Sequence, residues 1–155
     1  MFPILISAAM LASCAEQYVV NGSSNVEGLE GKTLYLKVFA GEDMRAIDSS
    51  RVVHGKFRFR GVLDSVTMAN VFVDDTSVMP VVLESGEVSL NIGESTQSAT
   101  GTPMNDSLSQ FIQRKTQIDA QMAELPHLES QMIMDGISLD QISVELDAKA
   151  RALND

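Results

Sequence analysis

Lys32-Thr33-Leu34-Tyr35-Leu36-Lys37-Val38-Phe39 opens the stretch, Lys32 to Ile92, whose alternation of apolar and polar side chains decides the fold. Leu34, Leu36 and Val38 alternate with Tyr35, Lys37 and Phe39, and Phe57 and Phe59 alternate with Lys56, Arg58 and Arg60. Successive side chains of a strand point to opposite faces, so each run turns one apolar face inward and one polar face outward. Three later runs, Ala69 to Val73, Val78 to Leu83 and Val88 to Ile92, are more apolar, which predicts that they are the inner strands. His54-Gly55, Asp74-Asp75 and Ser85-Gly86 supply turn chemistry between the runs. Gln17 to Asn21, Arg45 to Val53 and Ser98 to Thr100 bring the total to about eight short strands at hairpin spacing. The expectation is a mainly β chain, an antiparallel β-sandwich or open barrel over residues 17–101, followed by a C-terminal helical hairpin.

After Thr102-Pro103 the period becomes helical. Thr102 suits an N-cap and Pro103 the first helical position, where a missing N–H costs nothing. Leu108, Phe111, Ile118, Met122 and Leu125 form one apolar stripe on a helix of roughly 22 residues that Pro126 ends or kinks. Leu128 to Met134 extends it briefly, and Asp135-Gly136 stops it. Ser138, with Gln141 three residues on, is a capping-box pattern for a last helix through Leu139, Ile142, Leu146 and Leu153. Residues 102–155 are thus a helical segment whose stripes dock on a sheet face, on each other or, as a homodimer, on a second copy.

A chain of 155 residues has room for one domain and an appendage. Its net charge of -10 disfavours nucleic acid, whose binding needs a cationic surface. The charge is uneven: residues 32–60 hold seven of the eleven Lys and Arg, while residues 61–155 hold fifteen of the 21 acids. Two readings stand: basic strand faces balancing acids of the same molecule, or a face for an anionic glycan or lipid headgroup at Lys56, Arg58 and Arg60.

Met1 to Ser13 carries no charge and ends in Leu11-Ala12-Ser13-Cys14, which resembles a bacterial lipobox. The apolar run is too short to span a bilayer but suits a signal h-region, although no Lys or Arg precedes it. Residues 1–14 are therefore expected to be a lipoprotein signal peptide, with lipidation at Cys14 as the link to the membrane. Multiple acyl chains give the stable anchoring that one chain does not. Processing there leaves Cys14 to Asp155, with Cys14 the sole cysteine of the sequence. The absence of Asp directly after Cys14 is compatible, by analogy, with a Gram-negative outer membrane facing the periplasm.

One succession of landmarks resembles a known family. It runs through Tyr18 to Gly22, Gly31-Lys32-Thr33-Leu34-Tyr35-Leu36, Ile47-Asp48-Ser49, Gly55-Lys56-Phe57-Arg58-Phe59-Arg60-Gly61, Leu83-Glu84-Ser85-Gly86 and Thr100-Gly101-Thr102-Pro103-Met104-Asn105-Asp106. These residues look like the domain of unknown function 4369 over roughly residues 17 to 125. The resemblance implies an envelope lipoprotein with a small β-sandwich and a helical segment, very often followed by a thioredoxin-like domain. Its Cys-x-x-Cys pair has no counterpart in this sequence, which is therefore expected to lack that domain. The landmarks are turn and strand signatures, so no catalytic residue carries over.

Other chemistry finds little footing. His54 sits in a turn and His127 beside Pro126, with no third ligand near either. Met132-Ile133-Met134 is the densest methionine pair, which core filling explains better than a soft metal. No Gly-x-Ser-x-Gly elbow occurs, and Asp74, Asp75, Glu84 and Glu87 read as hairpin polarity. The sequence is thus expected to be that of a non-enzymatic, cofactor-free envelope module for binding or spacing. The alternative is an accessory or truncated N-terminal part of a thiol-disulfide oxidoreductase that works with a thioredoxin-like partner.

Overall fold

The computed structural model describes residues 16–154, so Cys14 and the rest of the expected signal lie outside the described residues. The chain divides into two compact units, one ending at Asn105 and one beginning at Asp106. The first holds eight strands: β1 (Gln17–Ser24), β2 (Thr33–Ala40), β3 (Asp43–Arg51), β4 (Lys56–Val62), β5 (Thr67–Val73), β6 (Thr76–Leu83), β7 (Gly86–Ile92) and β8 (Gln97–Thr100). They form two four-stranded sheets, ordered β4-β1-β7-β8 and β3-β2-β5-β6. The expected eight-stranded sandwich is what is found. Its pairs are antiparallel except β1 with β7, which run parallel.

The expected inner strands need correcting. β5 and β7 are interior, but β6 is an edge, and β1 and β2 take the other interior places. Pro80 gives the physical reason: it has no N–H to donate, so it suits a strand with one unpaired side. The apolar character of β6 reflects burial of Met79, Val81 and Leu83 together with Val82 on the opposite face.

Alternate residues of both sheets meet in one core. Tyr18, Val20, Phe57, Phe59, Val88, Leu90, Ile92 and Ala99 come from the first sheet; Leu34, Leu36, Val38, Ala69, Val71, Met79, Val81 and Leu83 come from the second. Phe57 and Phe59 stack edge to face at 5.7 Å between ring centroids. Phe57 lies against Gly22: a Cβ there would come within 2.1 Å of the ring, so only glycine leaves space for it. That close approach explains why the apolar alternation of β1 is interrupted at Gly22.

Both lateral seams of the sandwich are closed by side chains bonding to an edge strand. On one, Asp48 and Ser50 of β3 accept from the N–H groups of Arg60 and Arg58 on β4, each at 3.0 Å. On the other, Asn105 accepts from Val82 N–H at 2.9 Å and donates to Val82 C=O at 2.8 Å, so one carboxamide stands in for a ninth strand. An unpaired strand edge is a template for unwanted pairing, and both devices blunt it.

The second unit consists of the two packed helices, α1 (Pro103–Met134), which begins in the last residues of the sandwich unit, and α2 (Leu139–Asn154). Of the two outcomes expected at Pro126, an end or a kink, the end does not hold: α1 runs through Pro126 for 32 residues, along the expected extension from Leu128 to Met134. Its end is set by Gly136 at a φ of 78°, with Gly136 N–H bonding to Ile133 C=O and Ile137 N–H to Met132 C=O, a Schellman arrangement. Ser138 then caps α2: its Oγ accepts from Gln141 N–H as the capping-box pattern predicts, while the Gln141 Oε1 accepts from the Ser138 hydroxyl instead of the Ser138 N–H. Met132 and Ile142 are the buried apolar side chains of this unit, whereas Phe111 and Met122 of the expected stripe stay exposed.

Candidate functional site

Alternation on β4 sends Phe57 and Phe59 to the core and leaves Lys56, Arg58 and Arg60 exposed on the outer face of the first sheet. Strand register places Lys56 beside Ser23, Asn91 and Ser98, then Arg58 beside Asn21, Ser89 and Thr100, then Arg60 beside Val19 and Glu87. Rows two residues apart on a strand are about 6.8 Å from each other. The three cations thus edge a flat grid of hydroxyl and amide side chains. Among the described residues none of the three is in an ion pair.

The two ends of the sandwich differ. At the end holding the β3–β4 turn, a 3₁₀ turn (Glu27–Leu29) lowers Leu29 onto the core beside Val52. Glu30 then clasps the next hairpin, its two carboxylate oxygens accepting from His54 N–H and Gly55 N–H at 2.9 Å each. Those two N–H groups, Gly55 first, hold the Glu30 carboxyl below its usual range against an opposing burial effect, with the charges of His54 and Arg51 as lesser aids. His54 and Gly55 both have positive φ, so the turn is of the type that matches hairpin twist.

The opposite end is open. A cleft of about 410 Å³ lies between the sheets, lined by Tyr18, Phe39, Arg45, Arg60, Val62 and Thr67 among others. Neither guanidinium is in an ion pair among the described residues. Burial, followed by the negative charge of Asp48, pushes the Tyr18 hydroxyl up, so it remains a protonated donor at neutral pH. The lining is more polar than apolar and also holds Asp64, so the two guanidiniums and the buried hydroxyl offer donors for an anionic group beside one carboxylate. Sequence reasoning found Arg60 but missed Arg45 and Tyr18, because only the pairing of β2 with β3 and of β1 with β4 brings them together. A larger surface groove of about 690 Å³ runs along α2, but its lining from Ile137 to Ala148 is one open helix face.

Other candidates resolve into structure. His54 lies at the clasped turn and His127 on α1, and Met132 is buried while Met134 is exposed, so the two thioethers diverge. Glu84, read from sequence as hairpin polarity, is instead buried and accepts from the N–H groups of Met104 and Asn105 in the first turn of α1. Asn105 Nδ2 also donates to Thr102 Oγ1 at 2.8 Å. Leu83-Glu84-Ser85-Gly86 and Thr102-Pro103-Met104-Asn105, far apart in sequence, are therefore two halves of one joint.

Residues 18–108 match the family described as Domain of unknown function (DUF4369). No curated protein matches the chain.

Proposed function

The chain belongs to the family of domain of unknown function 4369, and from that premise we propose that it is a non-enzymatic module of the Gram-negative cell envelope, held at the membrane by lipid on Cys14 and used for binding or spacing. The observation that carries this reading is the spacing at the start of the chain. Leu11-Ala12-Ser13-Cys14 is followed within three residues by β1, whose Tyr18 is already in the core. A folded body beginning so close to the lipidation tetrad suits a protein carried on an acyl anchor.

The use of the family's landmarks supports a passive role. Gly22 makes room for Phe57, Gly55 receives the Glu30 clasp, and Glu84 with Asn105 joins strand to helix. Each builds the sandwich rather than presenting a nucleophile or an acid-base pair. The exposed Lys56, Arg58 and Arg60 row and the open cleft are the surfaces left for a ligand.

Mass spectrometry of the N-terminus of the protein from cells tests the anchor. The expected product starts at an acylated Cys14, and Cys14→Ala shifts the protein from the membrane to the soluble fraction. An intact Met1, or a membrane fraction unchanged by Cys14→Ala, refutes it.

A further inference from the structure

We infer that the open end of the sandwich rests on the phospholipid surface, with Phe39, Val62 and Val66 seated among the headgroups and Arg45 and Arg60 bonding lipid phosphate. The inference rests on the anchor reading above and gives the cleft an occupant. Its first ground is where the chain leaves the fold. Glu16 C=O accepts from Leu63 N–H at 2.8 Å, and Gln17 pairs with Val62, so the strand nearest the anchor departs from the open end. Cys14 is two residues before Glu16, a reach of about 7 Å of extended chain. A tether so short holds that end, and not the clasped one, against the bilayer.

The second ground is the distribution of exposed apolar side chains. Phe39 is 64% exposed, Val62 61% and Val66 57%, and Ile47 and Met68 join them toward the same end. Toward the clasped end the exposed large apolar side chains among the described residues are Val53 and, at 38%, Tyr35. Apolar side chains gathered beside a polar rim mark a surface that is covered in use. Arg45 and Arg60 share this end with Glu16, Glu42, Asp43 and Asp64, so the cations do not outnumber the acids. Attraction to anionic lipid is therefore not the driving term; apolar burial at the interface is, with the guanidiniums placed to bond phosphate oxygens. Contact then needs no anionic lipid and changes little with salt.

The sequence allows a direct test, because it has no Trp and one Cys. The chain from Cys14 onward keeps every described residue, and its thiol is coupled to a maleimide lipid in phosphatidylcholine vesicles with brominated acyl chains. Phe39→Trp and Val62→Trp report on the open end, and Val53→Trp on the clasped end. The expected result is a blue shift and loss of fluorescence for the first two, none for the third, and no change when phosphatidylglycerol or salt is added. Adding Val66→Asp to Phe39→Trp should restore the emission. Equal quenching at both ends, quenching at neither, or quenching that requires phosphatidylglycerol overturns the inference. The synthetic tether separates this test from the anchor reading: an unacylated native Cys14 sinks that reading alone, and an acylated one with unquenched Phe39→Trp sinks this inference alone.

Discussion

The sandwich and the helical hairpin of one chain are held by different means. In the sandwich, eighteen buried residues drawn from both sheets, the Glu27–Leu29 turn and Val52 share a core, whereas the helical unit buries the apolar side chains Met132 and Ile142. Apolar burial contributes roughly 25 cal/mol per Å², so the sheet unit has most of that stabilisation. The hairpin depends instead on its joints: the Schellman end at Gly136 and the Ser138 cap. A long helix with few buried side chains opens locally at low cost. The lesson is that a regular helix is not by itself a stable body.

Substitutions at four positions break or sharpen this comparison. Phe59→Ala removes a ring with no solvent exposure, and should lower the stability of the sandwich by about 3–5 kcal/mol in urea unfolding. An equal loss of the helical circular-dichroism signal at the same denaturant concentration would show that the two units unfold as one. Asn105→Ala strands the N–H and C=O of Val82 at a buried edge, a loss of about 1–3 kcal/mol. Asn105→Asp should not rescue it, since it keeps the acceptor, loses the donor and faces Glu84. A null result for Asn105→Ala in thermal unfolding would mean water closes that seam as well as the carboxamide does.

Smaller effects belong to the turns. Ser138→Ala should cost the hairpin about 1 kcal/mol, seen as faster amide hydrogen exchange in the first turn of α2 with β2 and β5 unchanged. Slower strand protection lost along with it would contradict the separation of the units. Glu30→Gln is the smallest and depends on pH. The folded-state carboxyl sits below its ordinary value of 4.5, so its contribution is present above that value and is lost as pH falls through the lowered one. Urea titrations from neutral to acid pH should show less acid destabilisation in Glu30→Gln than in the parent. Identical pH profiles would remove Glu30 from the clasp.

Particular residues show what was legible in advance. Leu34, Leu36 and Val38 and the Phe57, Phe59 pair reveal their strands because side-chain direction on a strand has a fixed period of two. Ser138 with Gln141 reveals a helix start because the cap is local. Pro126 left an end and a kink both open, and the helix does not end there because the loss of one helical hydrogen bond is tolerated within a long helix when the turns on either side continue. Glu84 was hidden for a different reason: an acid next to a turn reads as solvated, and its partners Met104 and Asn105 lie 20 and 21 residues away.

The sequence alone determined the eight strands, the change to helix at Thr102, the exposed cations Lys56, Arg58 and Arg60, and the family resemblance. All of these follow from periodicity and short-range chemistry. The tertiary structure decided strand order, the parallel pairing of β1 with β7, the edge position of β6 and the joining of Arg45, Arg60 and Tyr18 around one open end. These depend on which strands meet across long stretches of chain, and that is settled by burial of the whole core at once rather than by any local run of residues.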